Sequence, residues 1–306
     1  MTMAHYLVTG GAGFIGSHIA TALIARGDHV RVFDNFSTGK RANLAHLPQA
    51  EIVEGDLRDR AAVLAAARGA DYVIHHAAMV SVTQSMIDPV TTTAVNVTGT
   101  LHVLEAARLA GARRMVLASS CAVYGDNDEL PLKEISQTRP LSPYAASKLT
   151  GEILCQTYYR AYGLPTVCLR YFNIFGPRQD PNGEYAAVIP KFAQRLMAGQ
   201  PPTVYGDGTQ TRDFVHVSDV VRANLLACER DGAIGQVLNV ASGRGTSLLV
   251  LIDALNTLLG VSIGPVFEAA RPGDIRHSRG DGALIATTLG FRPETGLIAG
   301  LKTVIE

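Results

Sequence analysis

YLVTGGAGFIG, residues Tyr6–Gly16, predicts a β-strand, a glycine turn and an α-helix in immediate succession. The apolar run Tyr6–Thr9 has the character of a buried strand, and the following helix carries Ile15, Ile19 and Leu23 at every fourth position. Apolar residues with this period lie on one face of a helix and pack against a core. The stretch therefore predicts the first strand–turn–helix unit of an α/β fold.

The glycines of this turn predict a dinucleotide site. Gly11, Gly13 and Gly16 fit the pattern GxGxxG, while Gly10, Gly13 and Gly16 fit the wider GxxGxxG. Either spacing lets backbone N–H groups approach a pyrophosphate at the N-terminus of the helix. The cofactor contacts predicted in this turn are Gly10, Gly13, Phe14, Ile15 and Gly16.

The end of the second predicted strand, Val30–Phe33, favours NAD as the dinucleotide. Asp34 follows that strand 18 residues after Gly16, near the position where an acidic side chain accepts hydrogen bonds from the adenosine ribose. The same carboxylate repels the 2′-phosphate of NADP. Lys40 and Arg41 follow closely and could in principle meet such a phosphate, so the alternative stays open at this point.

Strands and helices keep alternating after Asp34, which predicts an α/β fold with a Rossmann-type, doubly wound parallel sheet covered on both faces. The expected strands are Ile52–Glu54, Tyr72–His75, Met115–Ala118 and Thr166–Tyr171, and the expected helices are Arg60–Arg68, Val90–Ala110, Pro143–Tyr162, Ala186–Met197 and Leu248–Leu259. We expect residues 1–170 to form the dinucleotide-binding domain, which also receives strands from about 213–240. Loops rich in Pro, Gly and Asp indicate a smaller substrate-binding lobe over residues 171–306.

Composition points to a small-molecule ligand. A chain of 306 residues with 47% hydrophobic content can bury a large core, and its 27 basic and 27 acidic residues create no net field for nucleic acid or an anionic membrane. The chain has no apolar run of 18 residues, and residues 1–5 lack the pattern of a signal peptide. We therefore expect a cytoplasmic protein without nucleic-acid or membrane partners.

Cysteine and histidine spacing argues against a metal site. Cysteines 121, 155, 168 and 228 are widely separated and form no CxxC pair, so we expect reduced thiols. His75 and His76 are adjacent on a predicted strand, where neighbouring side chains point to opposite faces. They cannot converge on one ion, and packing is the role expected for them.

Tyr144 and Lys148 form the candidate catalytic pair. They lie four residues apart on a predicted helix, hence on one face, and Ser142 and Pro143 suit the cap and the first position of that helix. The helix dipole and the Lys148 charge are expected to favour the phenolate of Tyr144, which could then act as a base near neutral pH.

Polar and small residues follow several predicted strands, where ligands bind in doubly wound sheets. Asp56 and Leu57 follow the third strand and are predicted to hold the adenine edge, while Ala77 leaves room for the cofactor. Ser119 and Ser120 end the strand before the Tyr144 helix. A hydroxyl, a phenol and an ammonium beside a dinucleotide predict combined proton and hydride transfer.

Taken together, these residues resemble the extended short-chain dehydrogenase/reductase family over essentially the whole chain. The matching positions are Thr9–Gly16, Asp34, Asn35, Gly55–Leu57, Asn96, Ser119, Ser120, Tyr144, Lys148 and Arg170–Asn173. The resemblance implies that Asn35, Asn96 and Tyr171 also contact NAD. Counting back from Val123–Gly125 makes Ser120 the catalytic serine and Ser119 its alternative.

Within that family the chain is similar to nucleotide-sugar 4-epimerases, in particular UDP-N-acetylglucosamine and UDP-glucose 4-epimerases, through Arg178–Gly183 and Arg271–Ser278. The resemblance implies UDP-sugar contacts by Ser81, Ser120, Asn173, Tyr205, Arg212, Arg271, Asp274 and Ser278. It also implies a homodimer. Sugar dehydratases of the family carry an acidic pair after the catalytic hydroxyl, whereas Cys121 and Ala122 stand here, which disfavours dehydration.

The resemblance predicts NAD-dependent inversion at C4 of a UDP-hexose. Ser278 is the small residue that leaves volume for an N-acetyl group, so interconversion of UDP-GlcNAc and UDP-GalNAc is expected, with UDP-Glc and UDP-Gal also accepted. The alternatives are a UDP-glucose 4-epimerase without N-acetyl activity, another nucleotide-sugar epimerase or reductase of the family, and a catalytically silent NAD or sugar sensor.

Overall fold

Thirteen strands and eleven α-helices are present among residues 3–182, 187–270 and 275–306, which are the residues that the structure, a computed structural model, describes. The strands are β1 (His5–Thr9), β2 (His29–Asp34), β3 (Glu51–Glu54), β4 (Tyr72–His75), β5 (Arg114–Ser120), β6 (Thr166–Tyr171), β7 (Asn173–Phe175), β8 (Thr203–Tyr205), β9 (Thr211–Arg212), β10 (Phe214–His216), β11 (Val237–Val240), β12 (Thr246–Ser247) and β13 (Val266–Glu268).

Seven of these strands form one sheet in the order β11-β6-β5-β4-β1-β2-β3. Every neighbouring pair in it is parallel, as in the register that sets Tyr6 beside Val30 on one side and Tyr72 on the other. The strand order reverses at β1, where doubly wound sheets open a ligand crevice. The predicted parallel sheet is confirmed. Strand β11 (Val237–Val240), from the later part of the chain, joins it at the edge beside β6. The domain boundary near residue 170 remains a prediction.

The helices are α1 (Phe14–Ala25), α2 (Arg60–Ala66), α3 (Val82–Ile87), α4 (Pro89–Thr93), α5 (Gly99–Leu109), α6 (Pro143–Tyr162), α7 (Val188–Met197), α8 (Val217–Glu229), α9 (Leu248–Leu259), α10 (Ala283–Leu289) and α11 (Leu297–Ile305). Short 3₁₀ turns cover Arg41–Leu44, Cys121–Tyr124 and Asp231–Ala233. The single helix predicted over Val90–Ala110 is α4 and α5 joined by a π-helical segment, Ala94–Thr98.

Each face of the large sheet is covered by its own hydrophobic core. On one face, Ile19 and Leu23 of α1 are fully buried with Val220 of α8. On the other, Val63 of α2 and Leu104 of α5 are fully buried in the second core. The expected apolar period of α1 is thus confirmed, although Ile15 is only partly buried because it lies at the cofactor end of the helix.

The helix that carries the candidate catalytic pair begins and ends where its sequence indicates. Ser142 Oγ accepts a hydrogen bond from the backbone N–H of Ala145 at 3.1 Å, and Pro143 occupies the first helical position. Gly163 ends α6 in a left-handed conformation. These local signals place Tyr144 in the first turn of α6, at the carboxyl edge of the sheet.

The second lobe consists of short strand pairs around a third core. Strand β10 pairs with β7, β12 with β9 and β13 with β8. Helices α7, α9 and α11 pack on this core, and its buried side chains include Phe175, Ile189 and Leu251. The helix predicted from Ala186 begins at Val188 among the described residues. No described helix is long and apolar enough to cross a lipid bilayer.

Candidate active site

The glycine turn leaves no room for side chains and turns its backbone toward a cavity. Gly10 has φ +68°, and a Cβ there would lie 2.6 Å from the backbone nitrogen of Ala77. A Cβ on Gly16 would lie 2.3 Å from the carbonyl oxygen of Gly10. Gly13 is the residue before α1 and has no side chain to cap it, so the first N–H groups of the helix remain available to an anion. The turn therefore fits a pyrophosphate.

A cavity of about 590 Å³ crosses the carboxyl ends of the strands from β3 to β6. It contains fourteen of the predicted site residues: Gly10, Gly13, Phe14, Ile15, Gly16, Asp34, Asn35, Asp56, Leu57, Ala77, Ser120, Tyr144, Lys148 and Tyr171. Asp34 and Asp56 lie at one end, whereas Ser120 and Tyr144 lie at the other. We call it the cofactor cavity.

The surroundings of Asp34 fit NAD better than NADP. Its carboxylate is buried and accepts backbone N–H bonds from Ala12 and Phe36, each at 2.9 Å. Lone pairs remain on both oxygens for ribose hydroxyls. Lys40 pairs with Asp180 at 2.5 Å, and Arg41 pairs with Glu54 while its guanidinium lies 4.0 Å over the Phe36 ring. The two cations that could have met a 2′-phosphate are thus engaged elsewhere.

Asn96, which the resemblance implies as an NAD contact, is not among the residues that line the cofactor cavity. Its side-chain oxygen accepts from the backbone N–H of Met79 at 2.8 Å, and its nitrogen donates to Met79 O and Ser147 Oγ, both at 3.0 Å. Met79 lies on the cavity wall. Asn96 therefore acts one layer behind the cavity, where it fixes the loop after β4 to helix α6.

Tyr144 and Lys148 share a face of α6 as predicted, but the pKa of Tyr144 shifts in the direction opposite to that expected. Lys148 Nζ lies 5.8 Å from the centre of the Tyr144 ring and donates to Ala118 O at 2.8 Å. Burial raises the pKa of Tyr144 to about 12, although a hydrogen bond with Ser120 acts in the other direction. Burial also lowers the pKa of Lys148 to about 8, against the opposing charge of Glu152. Desolvation is the largest cause of both shifts, so the prediction of a lowered Tyr144 pKa is wrong.

The two adjacent serines face different surroundings. Ser119 is buried, and its hydroxyl donates to Glu152 Oε1 at 2.5 Å. Glu152 is also held by Arg170, which donates to its two oxygens at 2.9 and 2.7 Å. Ser120 is partly exposed in the cavity, where its Oγ accepts from the backbone N–H of Ala122 at 3.1 Å. Of the two hydroxyls, that of Ser120 is the one beside Tyr144.

A second cavity of about 670 Å³ lies in the smaller lobe, and Ile174 lines both cavities. Asn173, Tyr205 and Arg212, three of the residues predicted to contact the UDP-sugar, line the second cavity. Arg276 pairs with Asp207 at 3.1 Å on the surface.

Two of the predicted substrate residues that the structure describes, Ser81 and Ser278, line neither cavity. Ser81 caps α3 by accepting from the N–H of Gln84 at 3.0 Å, and it lines neither cavity. Ser278 is buried, lines neither cavity and hydrogen-bonds with the Cys121 thiol next to Ser120. Arg271 and Asp274 lie outside the described residues.

Sequence reasoning missed several residues of the cofactor cavity, among them His76, Met79, Phe172 and Gln179. The His76 ring lies against the Tyr171 ring with centroids 5.6 Å apart, and burial lowers the pKa of this histidine to about 4. His75 is buried between Thr9 and Thr100, at 2.6 and 3.0 Å. The two rings diverge as expected, and the described residues contain no cluster of potential metal ligands. In the sequence, the one indication that His76 lies at the cavity was its position directly after β4.

Similarity to known proteins agrees with the NAD site described above. The model of the NAD dependent epimerase/dehydratase family matches residues 6–241. The UDP-glucose 4-epimerase of Mycolicibacterium smegmatis is 39% identical over 309 residues, which cover 98% of this chain and 97% of the relative.

Two solved structures share the fold over nearly their full length. One is a UDP-N-acetylglucosamine 4-epimerase from Methanobrevibacter ruminantium in complex with UDP-N-acetylmuramic acid, with TM-score 0.95, 39% identity and coverage of 99% of this chain and 98% of that one. The other is the Thermus thermophilus UDP-glucose 4-epimerase with NAD, with TM-score 0.90, 40% identity and coverage of 98% and 97%. Together with the glycine turn and the Asp34 site, these matches show that the chain belongs to the NAD-dependent epimerase/dehydratase family and is an enzyme that uses NAD.

Proposed function

We propose that the enzyme inverts C4 of a UDP-hexose through a transient 4-keto intermediate. The observation that carries this proposal is the placement of Ser120, Tyr144 and Lys148 at one end of the cofactor cavity, which shares Ile174 with the cavity of the smaller lobe. A sugar whose nucleotide occupies the second cavity can then present its ring to the three side chains. The names of the similar epimerases support the same reaction.

The roles of the three residues follow from their geometry. NAD held in the cofactor cavity would supply a reversible acceptor for the hydride that leaves C4. Tyr144 takes the proton of the C4 hydroxyl and later returns it, while the Ser120 hydroxyl hydrogen-bonds the same oxygen. Lys148, held by Ala118 O, keeps a positive charge near the phenolate at pH values below about 8. Rotation of the keto sugar in the pocket would present the opposite face of C4 to the returning hydride, while Tyr144 returns its proton to the C4 oxygen.

The surroundings of Tyr144 favour epimerisation over loss of water. Elimination needs an acid near the reacting carbons, yet the carboxylates that line the described part of the cofactor cavity, Asp34 and Asp56, belong to its other end. Glu152 lies behind Ser119 and is committed to Arg170. This arrangement supports the interpretation that Cys121 and Ala122, which stand in place of an acidic pair, disfavour dehydration.

For the sugar, we propose that UDP-GlcNAc and UDP-GalNAc interconvert and that UDP-Glc and UDP-Gal are also accepted. Ser278 contacts Cys121, directly after Ser120, so its side chain lies close to the reacting end of the cofactor cavity. A small residue there leaves volume for an acetamide, and an open volume does not reject the smaller sugars. The similar structures include epimerases named for either sugar.

A panel of nucleotide sugars followed by NMR for inversion at C4 tests the reaction. We expect interconversion without net formation of NADH, since each hydride returns to the sugar. Stoichiometric accumulation of NADH with a keto product would show a dehydrogenase instead. Absence of both epimerisation and redox activity on every member would favour the silent sensor.

The variant Ser278→Tyr tests the sugar preference, with Ser278→Ala as its matched control. Tyrosine should suppress turnover of the N-acetylated pair while sparing UDP-Gal, because it fills the proposed acetamide volume. Alanine should leave the ratio of specificity constants nearly unchanged. An unaltered ratio in the tyrosine variant would remove Ser278 from substrate selection.

We also propose the homodimer implied by the resemblance. Exposed apolar side chains on α5 and α6, among them Leu101, Leu109, Ile153 and Tyr162, support this assembly. Light scattering of the purified protein measures its mass directly, and a monomer at micromolar concentration would contradict the proposal.

A further inference from the structure

Asp213 is a fully buried carboxylate that is held by four neutral donors. It lies between β9 and β10. One of its oxygens accepts from the backbone N–H and the hydroxyl of Ser242 at 2.7 and 2.6 Å, and the other accepts from the N–H groups of Gly243 and Gly280 at 3.0 and 3.1 Å. Burial raises the pKa of this carboxyl, and the four hydrogen bonds act against that rise. A carboxylate removed from water needs such donors, so its position and theirs are tied together.

The four bonds join parts of the chain that are far apart in the sequence. The loop 242–243 follows β11, the edge strand of the large sheet, whereas Asp213 connects two short strands of the smaller lobe. Gly280 ends the stretch of residues 276–280, which we call the Ser278 segment. The carbonyl oxygen of Asp213 also accepts from the N–H of Asn173, a residue of the second cavity, at 2.9 Å. Asp213 is therefore the point where both lobes and the Ser278 segment are held together.

The Ser278 segment reaches from the smaller lobe to the reacting end of the cofactor cavity. Its residues 276 and 278 exchange backbone hydrogen bonds with Thr211 of β9 at 3.0 and 3.1 Å. The Ser278 side chain hydrogen-bonds with Cys121, directly after Ser120. Two residues further on, the segment donates to Asp213. Ser278 thus lies between two points of attachment, one at Thr211 and one at Asp213.

We propose that Asp213 is a positioning residue that sets the distance between Ser278 and Ser120, and with it the space open to the substituent at C2 of the sugar. Asp213 lines neither cavity, so it acts on the substrate through the Ser278 segment. The inference rests on the sugar preference proposed above, in which Ser278 leaves volume for an acetamide. It extends that proposal by naming the residue that holds this volume at its size from outside the site.

Kinetics of Asp213→Asn on UDP-GalNAc and UDP-Gal test this role. Asparagine keeps the shape of the side chain but replaces one accepting oxygen by a donating NH2 group, so at least one buried donor loses its acceptor. The Ser278 segment keeps its backbone bonds to Thr211 and Leu132, so it should shift rather than unfold. A displacement of about 1 Å can cost about 100-fold in rate. Because the acetamide is the group that reaches the shifted segment, we expect kcat/KM to fall about 10- to 100-fold further for UDP-GalNAc than for UDP-Gal.

Asp219→Asn is the matched control, because Asp219 is another buried aspartate outside both cavities. It accepts from the N–H groups of Glu294 and Thr295 at 2.9 and 3.0 Å and pairs with Arg222 at 3.0 Å. The control should melt at a lower temperature than the parent while keeping the parental ratio of the two specificity constants. Melting temperature and bound NAD, measured for both variants, separate a loss of stability from a change in the sugar site.

Ser242→Ala is a milder variant that removes the hydroxyl donor of Asp213 and keeps the other three donors. The lost bond, at 2.6 Å, lets the carboxylate move toward its remaining donors. We expect the ratio to change in the same direction as in Asp213→Asn, by about two- to tenfold. If Asp213→Asn does not fold, an unchanged ratio in Ser242→Ala overturns the inference.

Two results with folded Asp213→Asn would also overturn it. One is an unchanged ratio, and the other is an equal change of the ratio in Asp213→Asn and Asp219→Asn, which would show general support of the fold. Ser278→Tyr, measured alongside, separates this inference from the sugar preference. A changed ratio in Ser278→Tyr with none in Asp213→Asn leaves that preference standing, whereas an unchanged ratio in Ser278→Tyr overturns both.

Discussion

Replacing each of the two adjacent serines by alanine should affect stability similarly and catalysis very differently. Ser119→Ala removes the hydroxyl that donates to Glu152 at 2.5 Å. Ser120→Ala removes the oxygen that caps the following turn through Ala122 N at 3.1 Å. The pair is well matched, because both residues end the same strand and each loses one hydrogen bond within the protein.

The stability terms are comparable. A hydroxyl bonded to a carboxylate contributes about 2 kcal/mol, and Glu152 keeps both Arg170 bonds in the Ser119 variant, so no buried charge is left alone. Loss of the cap in the Ser120 variant is worth about 1 kcal/mol. The catalytic terms differ, because only the Ser120 hydroxyl lies beside Tyr144, where it can stabilise the reacting oxygen. Loss of one such donor lowers kcat about 100- to 1,000-fold.

The assay measures kcat and KM for C4 inversion at a temperature well below both melting temperatures, together with bound NAD. We expect Ser120→Ala to lose the rate with NAD still bound, and Ser119→Ala to stay within about tenfold of the parent. A larger loss of kcat in Ser119→Ala, or equal losses in the two variants, would refute the assignment of Ser120.

Three further perturbations test other parts of the site. Tyr144→Phe should retain NAD and substrate binding, measured by absorbance and calorimetry, but lose about 100- to 10,000-fold in rate, and near-normal turnover would exclude Tyr144 from the mechanism. Glu152→Gln should lower the melting temperature, because it leaves Arg170 buried without its carboxylate at a cost of about 3–5 kcal/mol. The same variant should move the Lys148-dependent limb of the pH–rate profile to lower pH, since the Glu152 charge raises the pKa of Lys148, and an unmoved limb would contradict this coupling. Burial lowers the pKa of His75 from 6.5 to about 3. As the pH falls below 6.5, His75 therefore becomes protonated in the unfolded chain while it stays neutral in the folded protein. Between pH 7 and 4.5 this group alone should reduce the free energy of unfolding by about 3 kcal/mol, a loss that denaturant titrations should show and that His75→Asn should abolish.

Elements built from short-range patterns were predictable. The glycine turn, the position of Asp34 and the spacing of Tyr144 and Lys148 each depend on fewer than about 20 residues of chain, within which strand, turn and helix geometry is determined by local sterics. The cap of α6 by Ser142 and its end at Gly163 followed from the same local rules.

The ionisation of the catalytic pair was not predictable from that spacing. Desolvation depends on what the rest of the chain packs around a group, and in this protein it is the largest cause of the pKa shift at both Tyr144 and Lys148. The helix dipole and the Lys148 charge were visible in the sequence, whereas the burial of the two side chains was not.

By itself, the amino-acid sequence determined the parallel sheet, the glycine turn and the helix that carries Tyr144 and Lys148, because periodicity and glycine spacing limit the backbone directly. Only the tertiary structure decided which serine hydroxyl lies beside Tyr144, since the Ser119 hydroxyl donates to Glu152, 33 residues further along the chain. It also placed Asn96 behind the cavity and brought Gln179 to it. Such roles depend on contacts between distant segments, and their geometry exists only once the core has packed.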